Sequence, residues 1–280
     1  MISLKAFAKV NLSLYITGVR NDGYHLLDTV MQTLSLYDTV EVSEDVDGKI
    51  TVACDNLKIS GEENICHKAA TLFFNESKVK GGAFINIVKR IPLAAGLGGG
   101  SADAAATLNG LNRLYGNPLS SEKLEEIALK LGADVPFCLK GGTARVKGIG
   151  EEITRFENNL PLNVLLIKEW EKPSTGQMYK ELDNALGEIK ESAFCGEITD
   201  AIKKGDYNSF INNLHNDFSL VWDINSIVAD LKQNGADGVC LSGSGPTVMG
   251  FFKTKEKAQS AYNALKDKYL SIFIAEKAAE

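Results

Sequence analysis

The clearest periodic pattern of the chain lies at its amino-terminal end. In the segment 2–17, apolar residues occupy the even positions and polar residues occupy most of the odd ones. Side chains of a β-strand point alternately to its two faces, so this pattern predicts a strand with one buried face. We expect Lys9 and Asn11 to project from the same face, away from the apolar core. The polar segment 20–23, Arg-Asn-Asp-Gly, is typical of a turn.

Further apolar runs and helical periodicities extend the prediction along the chain. Strands are expected at 39–42, 49–53, 83–89, 163–167, 239–241 and 247–252. Helices are expected at 64–75, 101–115, 120–131, 176–187, 192–204, 207–215, 225–233 and 255–268. Strands and helices are mixed in both halves without regular βα alternation. This indicates an α+β fold of two domains, which we expect to comprise residues 1–157 and 158–280.

The composition restricts the classes of function. The chain has 280 residues and a formal charge of −6, with 30 Lys and Arg against 36 Asp and Glu, so it has no general attraction for nucleic acid or anionic lipid. Five scattered cysteines and three histidines argue against a zinc site or a disulfide framework. No leader pattern or apolar run of about 20 residues is evident. We therefore expect a soluble cytoplasmic protein that does not bind nucleic acid or membranes. We also expect a monomer or weak homodimer.

The strongest local signal is a glycine-rich segment between a predicted strand and a predicted alanine-rich helix. It consists of Pro92, Leu93, Ala94, Ala95, Gly96, Leu97, Gly98, Gly99, Gly100, Ser101 and Ala102. Glycines allow close backbone approach to a ligand, and the N–H groups at a helix start bind phosphate. A tight strand-to-helix turn is the alternative. No Lys follows the glycines as in a Walker loop, and Ser101 replaces the third Gly of the dinucleotide motif. The segment predicts a phosphate loop of another type.

One carboxylate and one lysine are candidates for proton transfer. Asp134 follows the end of a predicted helix and is flanked by small and apolar residues, in Gly-Ala-Asp-Val-Pro. Position alone favours a helix-stop residue that makes a turn hydrogen bond. For Lys9 taken alone, a solvated lysine on a strand is the favoured interpretation. A lysine beside a carboxylate would keep the Asp ionised and orient it for proton transfer.

Three segments, in order, resemble the motifs of the GHMP kinases, named for galactokinase, homoserine kinase, mevalonate kinase and phosphomevalonate kinase. They are Ala-Lys-Val-Asn-Leu at 8–12, the glycine-rich segment at 92–102, and Leu-Ser-Gly-Ser-Gly-Pro-Thr at 241–247. The resemblance covers nearly the whole chain. It implies a ribosomal-S5-domain-2-like amino-terminal domain and a ferredoxin-like carboxy-terminal domain. It also implies ATP as phosphoryl donor, with Mg²⁺, bound at 92–102.

The same resemblance assigns roles to individual residues. The segment around Asp134 is similar to the catalytic-aspartate segment of one GHMP branch, which implies that Asp134 accepts the hydroxyl proton with the help of Lys9. We therefore expect these two side chains to meet, and Asn11 to orient the substrate. Lys89 and Asn64 match family positions near the nucleotide. An exposed strand lysine and a helix N-cap are their ordinary alternatives.

The acceptor is indicated by Arg-Asn-Asp-Gly-Tyr-His-Leu-Leu at 20–27. This segment resembles the GHMP branch whose acceptor is a cytidine-diphosphate-linked methylerythritol of isoprenoid synthesis, phosphorylated on its 2-hydroxyl. The resemblance implies that Tyr24 stacks on cytosine, that His25 contacts its polar edge and that Tyr179 is a second stacking ring. Ser242 and Gly243 would close around the acceptor's phosphates. Packed aromatic residues and a simple strand turn are the alternatives.

Two other functions remain open at this point. One is a different GHMP kinase, of the homoserine or mevalonate type, which would share the phosphate loop but lack the cytidine pocket. The other is a GHMP-fold ligand sensor without catalytic activity. A sensor is expected to have lost the lysine or the aspartate, and both residue types are present.

Overall fold

The structure, a computed structural model, describes residues 1–187 and 195–278. Its strands are β1 (Ile2–Val19), β2 (His25–Asp45), β3 (Ile50–Cys54), β4 (Gly82–Val88), β5 (Thr143–Gly148), β6 (Glu152–Arg155), β7 (Asn163–Ile167), β8 (His215–Asn216), β9 (Gly238–Leu241), β10 (Val248–Phe252) and β11 (Ile272–Glu276). Its α-helices are α1 (Ile65–Ser77), α2 (Gly99–Leu114), α3 (Ser121–Leu131), α4 (Val135–Lys140), α5 (Thr175–Ala185), α6 (Gly196–Lys204), α7 (Tyr207–Asn212), α8 (Asn225–Gln233) and α9 (Lys255–Leu265). Short 3₁₀ turns occur at Leu57–Ile59 and Asp217–Leu220.

The described residues form two compact units. Unit 1 consists of Met1–Lys9, Tyr37–Ile91 and Gly98–Gly141. Unit 2 consists of Val10–Leu36, Pro92–Leu97 and the described residues from Gly142 onward. The predicted two-domain α+β organisation is confirmed. The predicted boundary between residues 157 and 158 stays a prediction.

Unit 1 packs helices against a sheet. Residues 39–45 of β2 pair antiparallel with β4, and β3 pairs parallel with the other edge of β4. Phe73 of α1, Leu108 of α2 and Ile127 of α3 are fully buried in one core cluster. The same cluster includes Ile85 of β4. In α2, a Cβ at Gly110 would lie 2.9 Å from a methyl of Val42, so the glycine lets the helix lie close to the sheet.

Unit 2 contains a four-stranded antiparallel sheet in the order β11-β7-β10-β9. The four strands of this sheet and the helices α8 and α9 follow one another in the order β7, α8, β9, β10, α9 and β11, with α5, α6, α7 and β8 inserted between β7 and α8. This is the ferredoxin-like arrangement implied by the sequence resemblance. Leu165, Phe252 and Leu241 on these strands are buried together with Ile227 of α8. Residues 27–32 of β2 pair with β5, and β8 pairs parallel with β1 at Ser13 and His215.

The strand predicted at the amino terminus is present, but its predicted one-sided burial is wrong. Lys9, Asn11 and Ser13 are 4%, 1% and 0% exposed, although their side chains lie on the face opposite the apolar residues. Each of these polar side chains has a polar contact: Asp134 for Lys9, Thr29 for Asn11 and Cys195 for Ser13. The middle of β1 is therefore buried on both faces, and partners distant in sequence make this possible.

Most predicted elements occur within a few residues of their expected bounds, with several corrections. The strand expected at 39–42 is the end of the much longer β2, and the helix expected at 207–215 ends at Asn212. Residues 192–194 of one predicted helix lie outside the described residues, and its remainder is α6. The elements α4, β5, β6, β8 and β11 were not predicted, since all five are only two to six residues long. Within the described ranges, no helix has the length and apolar character needed to span a membrane.

Candidate active site

The predicted meeting of Lys9 and Asp134 is present in unit 1. Lys9 Nζ lies 3.1 Å from Asp134 Oδ2, and the two side chains are 5% and 30% exposed. The ammonium is thus withdrawn from solvent, while its partner carboxylate is still partly accessible. A carboxylate that is both oriented by a cation and reachable by a ligand is suited to accept a proton.

Two helix ends place Asp134. Helix α3 has Ser120 as its N-cap, whose hydroxyl accepts a hydrogen bond from the N–H of Lys123, and Gly132 as its C-cap. Helix α4 begins at Val135, with Asp134 as its N-cap residue and Pro136 in its first turn. The Asp134 side chain makes no capping hydrogen bond to α4. Its carboxylate is therefore directed to Lys9 and is not used as a cap.

Lys9 also lies against the glycine-rich segment. Gly98 is the N-cap of α2 and has φ +66°, a conformation that favours glycine. A Cβ at this position would lie 2.6 Å from Cγ of Lys9. The lysine chain therefore runs directly past the start of α2. The first backbone N–H groups of a helix have no intrahelical partner and carry partial positive charge, which makes this end suited to phosphate.

Lys89 takes part in a second lysine–aspartate cluster of unit 1. Its Nζ lies 2.5 Å from Asp38 Oδ2 and 2.6 Å from Asp103 Oδ2, and all three side chains are at most 7% exposed. Asp38 Oδ1 also accepts hydrogen bonds from the backbone N–H groups of Arg90 and Ile91. The cluster therefore fixes the backbone just before the glycine-rich segment. The sequence analysis assigned no role to Asp103, and no motif in the sequence pointed to Asp38.

The ionisation of this cluster is unbalanced, because one cation faces two buried carboxylates. Burial raises the pKa of Asp103 to about 7; the charge of Lys89 opposes this rise and that of Asp38 adds to it. Burial alone would lower the pKa of Lys89, but Asp103 and Asp38 together raise it. Lys89 therefore stays charged, and Asp103 is the carboxyl whose pKa the cluster raises. Asp103 Oδ1 is buried and has no hydrogen-bond partner.

Asn64 has a capping role in the structure. Its side-chain oxygen accepts a hydrogen bond from the N–H of Cys66 in the first turn of α1, and its amide nitrogen donates to the carbonyl of Ile59. Its predicted contact with ATP stays a prediction.

An open cavity of about 470 Å³ in the same unit is lined by Asp55, Asn56, Leu57 and Lys89.

The part of the glycine-rich segment in unit 2, Pro92–Leu97, packs on the second glycine-rich loop at 242–245. Ser242 Oγ donates to the carbonyl of Gly96 at 3.1 Å, and the N–H of Thr247 donates to the carbonyl of Ala95 at 3.3 Å. A Cβ at Gly96, which has φ +76°, would lie 2.8 Å from the carbonyl oxygen of Gly245. Ser242 is fully buried, so its hydroxyl supports the backbone of the first loop. Its predicted role at substrate, like that of Gly243, stays a prediction.

Three residues that the sequence analysis missed hold the second loop. Asn216 donates to the carbonyls of Leu241 and Gly243, both at 2.8 Å. Trp222 Nε1 donates to the carbonyl of Ser244, and Lys172 Nζ donates to the hydroxyl of Ser244 at 2.6 Å. No local motif marks these residues, because each reaches the loop from a distant part of the chain.

The segment predicted to recognise cytosine forms the turn before β2. The N–H of Arg20 donates to the carbonyl of Tyr24, and the Arg20 side chain pairs with Asp22. Tyr24 is 60% exposed, with the Arg20 guanidinium 5.5 Å from its ring centroid. His25 is stacked on Tyr179 and lies 2.6 Å from Asp183. The structure thus brings His25 and Tyr179 together, and their predicted roles at cytosine stay predictions.

Asn11 lies in unit 2, on the part of β1 that follows Lys9. Its amide nitrogen donates to Thr29 Oγ1 at 2.8 Å, and the Thr29 hydroxyl donates to the carbonyl of Ser13. The Asn11 amide is therefore oriented by a buried hydrogen-bond chain. Whether it orients substrate stays a prediction.

Family models match both halves of the chain. The model for the GHMP kinases N terminal domain matches residues 64–142, which include the glycine-rich segment and Asp134. The model for the GHMP kinases C terminal domain matches residues 198–271, which include the second glycine-rich loop.

Curated relatives match almost the full length. A protein of Clostridium botulinum strain Eklund 17B is 39% identical over 279 residues, covering 98% of this chain and 99% of the relative. A protein of Thermoanaerobacter pseudethanolicus is 41% identical, covering 98% and 95%. Both are named 4-diphosphocytidyl-2-C-methyl-D-erythritol kinase. The chain belongs to the GHMP kinase family. It is therefore a phosphotransferase, and ATP is the phosphoryl donor of this family.

Solved structures agree at the level of the fold. A crystal structure of 4-(cytidine 5'-diphospho)-2C-methyl-D-erythritol kinase matches with a TM-score of 0.80 and 29% identity over 100% of both chains. Homoserine kinase from Cytophaga hutchinsonii matches with a TM-score of 0.75 at 19% identity, over 99% of this chain and 95% of that one. The second likeness shows only that the fold is shared.

Proposed function

We propose that this chain transfers the γ-phosphate of ATP to the 2-hydroxyl of 4-diphosphocytidyl-2-C-methyl-D-erythritol. The products are the 2-phosphate and ADP, and the reaction belongs to the methylerythritol phosphate route to isoprenoids. The observation that carries the proposal is the 3.1 Å contact of Lys9 with Asp134 beside Gly98. It occurs in a chain whose curated relatives bear the name of this kinase.

In this proposal the glycine-rich segment binds the ATP phosphates. Backbone N–H groups at the start of α2 donate to phosphate oxygens, and the glycines let the backbone approach them. ATP enters as its Mg²⁺ complex, because the ion neutralises charge on the phosphates during transfer. The cavity lined by Asp55, Asn56, Leu57 and Lys89 lies in the same unit and is suited to the nucleoside part of ATP.

Asp134 accepts the proton of the acceptor hydroxyl as that oxygen attacks the γ-phosphorus. Lys9 holds the carboxylate in position and stabilises negative charge on the attacking oxygen. The contact of the lysine chain with Gly98 supports this role, because it brings the ammonium close to the end of the helix that binds phosphate. The hydroxyl proton is transferred to the Asp134 carboxylate, and the bond from the γ-phosphorus to the ADP oxygen breaks.

The acceptor's base is recognised by the turn and strand start at 24–25. An exposed Tyr24 can stack on cytosine, a contact worth about 1–3 kcal/mol per base, and His25 supplies ring nitrogens for its polar edge. These residues distinguish the proposed acceptor from homoserine or mevalonate, which carry no base.

The test is to incubate the protein with ATP, Mg²⁺ and 4-diphosphocytidyl-2-C-methyl-D-erythritol and to follow products by ³¹P NMR. We expect ADP and a new phosphomonoester on the 2-oxygen. Parallel reactions with homoserine and with mevalonate are expected to give no ADP above the acceptor-free control. Turnover of either of these, without turnover of the cytidyl compound, would contradict the proposal.

A further inference from the structure

Helix α5 holds the His25 ring with two side chains that lie one turn apart. Tyr179 and Asp183 are four residues apart and so project from the same face of the helix. The Tyr179 ring stacks on the imidazole with centroids 4.5 Å apart and an angle of 29° between the planes. Asp183 Oδ1 lies 2.6 Å from His25 Nε2. The imidazole is thus fixed on one face and at one edge.

The stacked pair is anchored in the core of unit 2. Tyr179 packs edge-on against Phe218, with ring centroids 5.0 Å apart, and Phe218 is fully buried. The His25 side chain is 11% exposed, whereas that of Asp183 is 50% exposed. The ring is therefore held in a defined orientation, and Asp183 contacts it from the solvent side.

This contact decides which ring nitrogen carries the proton. A carboxylate only accepts hydrogen bonds, so Nε2 must carry the hydrogen and donate it to Asp183. In the neutral ring, Nδ1 then has the lone pair and acts as an acceptor. Without Asp183, nothing in this contact would select one tautomer over the other.

Cytosine and uracil differ in the group on C4, which a hydrogen-bond acceptor of the protein can contact in cytosine only. Cytosine has an amino group at C4, which donates, and uracil has a carbonyl oxygen there, which accepts. We propose that Asp183 is a positioning residue that determines base specificity. It fixes the His25 ring so that Nδ1 accepts a hydrogen bond from the cytosine amino group. In the same position Nδ1 would face the carbonyl oxygen of uracil, and two acceptors repel each other. This inference rests on the proposed function, since it assumes that His25 faces the base of the acceptor.

The kinetic test compares cytidine- and uridine-diphosphate-linked methylerythritol as acceptors. For Asp183→Ala, the ratio of kcat/KM for the cytidine acceptor to that for the uridine acceptor is expected to fall about tenfold or more. The change is expected in the KM for the acceptor, with the KM for ATP unaltered. Asp183→Glu retains a carboxylate and is expected to recover most of the ratio.

Glu181→Gln is the matched control. It removes a carboxylate from the same helix, at a residue that accepts a hydrogen bond from the side-chain amide of Gln177. It is expected to leave the cytidine-to-uridine ratio within about twofold of the wild type, because a general loss of negative charge does not select a tautomer. A purely structural role of Asp183 would lower turnover of both acceptors equally. An unchanged ratio in an active Asp183→Ala enzyme would therefore overturn the inference.

Nitrogen NMR gives a readout that does not depend on turnover. The chain has three histidines, so the ring nitrogens of His25 can be assigned by comparison with a His25→Gln variant. Above neutral pH the wild type is expected to show hydrogen on Nε2, and Asp183→Ala is expected to show a mixture of tautomers. His215, whose Nε2 lies 2.7 Å from Asp217, is an internal reference that should not change.

The two proposals can fail separately. If the wild type phosphorylates the cytidyl acceptor but Asp183→Ala keeps both the base preference and the tautomer, only the present inference is wrong. If the wild type phosphorylates neither acceptor and calorimetry shows equal binding of CMP and UMP, the proposed function and the inference are both wrong. Preferential binding of CMP that Asp183→Ala abolishes would support the inference even without turnover.

Discussion

Two lysine–aspartate clusters lie beside the glycine-rich segment in unit 1, and they differ in accessibility. Lys9 contacts Asp134, whose carboxylate is 30% exposed. Lys89 contacts Asp38 and Asp103, and those carboxylates are at most 4% exposed. The first cluster leaves a carboxylate that a substrate can reach. In the second, both carboxylates are enclosed by the protein.

The difference separates two uses of the same residue types. An accessible pair can exchange a proton with a substrate hydroxyl, because water or ligand can approach the carboxylate. A buried cluster holds backbone segments together, here the residues 89–91 before the glycines and Asp103 after them. We therefore expect damage to the Lys89 cluster to appear as lost stability, and damage to the Lys9 pair as lost turnover.

The largest effect is expected from Lys89→Met. Methionine has a similar length but no charge, so Asp38 and Asp103 would be left buried without their cation. Removing one partner of a buried ion pair typically costs about 3–5 kcal/mol. The free energy of unfolding, measured by urea denaturation and circular dichroism, should fall by about that amount.

Lys123→Met is the control for this effect. Lys123 is partly exposed and pairs with Glu76 and Glu126 on the surface of the same unit. Exposed pairs contribute about 0–1 kcal/mol, so this variant should unfold close to the wild type. Equal losses in the two variants would remove the distinction between the buried cluster and a surface pair.

Asp134→Asn is expected to lower kcat by at least about 100-fold, equivalent to about 2.7 kcal/mol of transition-state stabilisation. Asparagine has nearly the shape of aspartate but cannot accept the hydroxyl proton. Steady-state kinetics should show the loss in kcat. Unfolding should be affected less than in Lys89→Met, because Asp134 is partly exposed to solvent and its carboxylate is not a cap of α4. Glu125→Gln, which removes the surface partner of Lys140, should keep full turnover.

Lys9→Met sharpens this prediction. Because Lys9 and Asp134 act together on the same acceptor hydroxyl, the double variant should be little slower than Asp134→Asn alone, as residues that act as a unit are not additive. Turnover of Asp134→Asn within about tenfold of the wild type would show that Asp134 is not the base.

The two clusters also show how far sequence reasoning could reach. Lys9 and Asp134 lie in short segments whose order and residue types resemble family motifs, so their meeting could be expected across 125 positions of sequence. Lys89 was expected near the nucleotide, but its partner Asp38 lies on β2 in a segment with no motif. Such pairing depends on which strands become neighbours, and local periodicity does not encode that.

The same limit applies to burial and to the base-recognition segment. Alternation placed Lys9 and Asn11 on one face of β1, but it could not show that this face is buried, because the covering residues come from distant parts of the chain. Tyr179 and His25 were both named from the sequence, whereas their stacking on each other was not. Asp183, one helical turn after Tyr179, could have been noticed from its i+4 spacing once α5 was predicted.

The last prediction concerns the pH dependence of stability and the Lys89 cluster. Burial raises the pKa of Asp103 from an ordinary value near 4 to about 7. Between these two pH values the folded protein holds a proton at Asp103 that the unfolded chain has lost. The contribution of Asp103 to stability therefore falls as pH rises through this window, and it is constant above the folded pKa.

Asp103→Asn removes this dependence, because an amide does not titrate in the window. The variant should therefore gain stability relative to the wild type as pH rises from about 4 to about 7. Asp47→Asn, at an exposed turn of unit 1, should show no such trend. The prediction is wrong if the difference in unfolding free energy between Asp103→Asn and the wild type is the same at both ends of the window. Asp103 would then not hold an excess proton in the folded protein, and the buried cluster would not differ from the accessible pair of Lys9 and Asp134 in this respect.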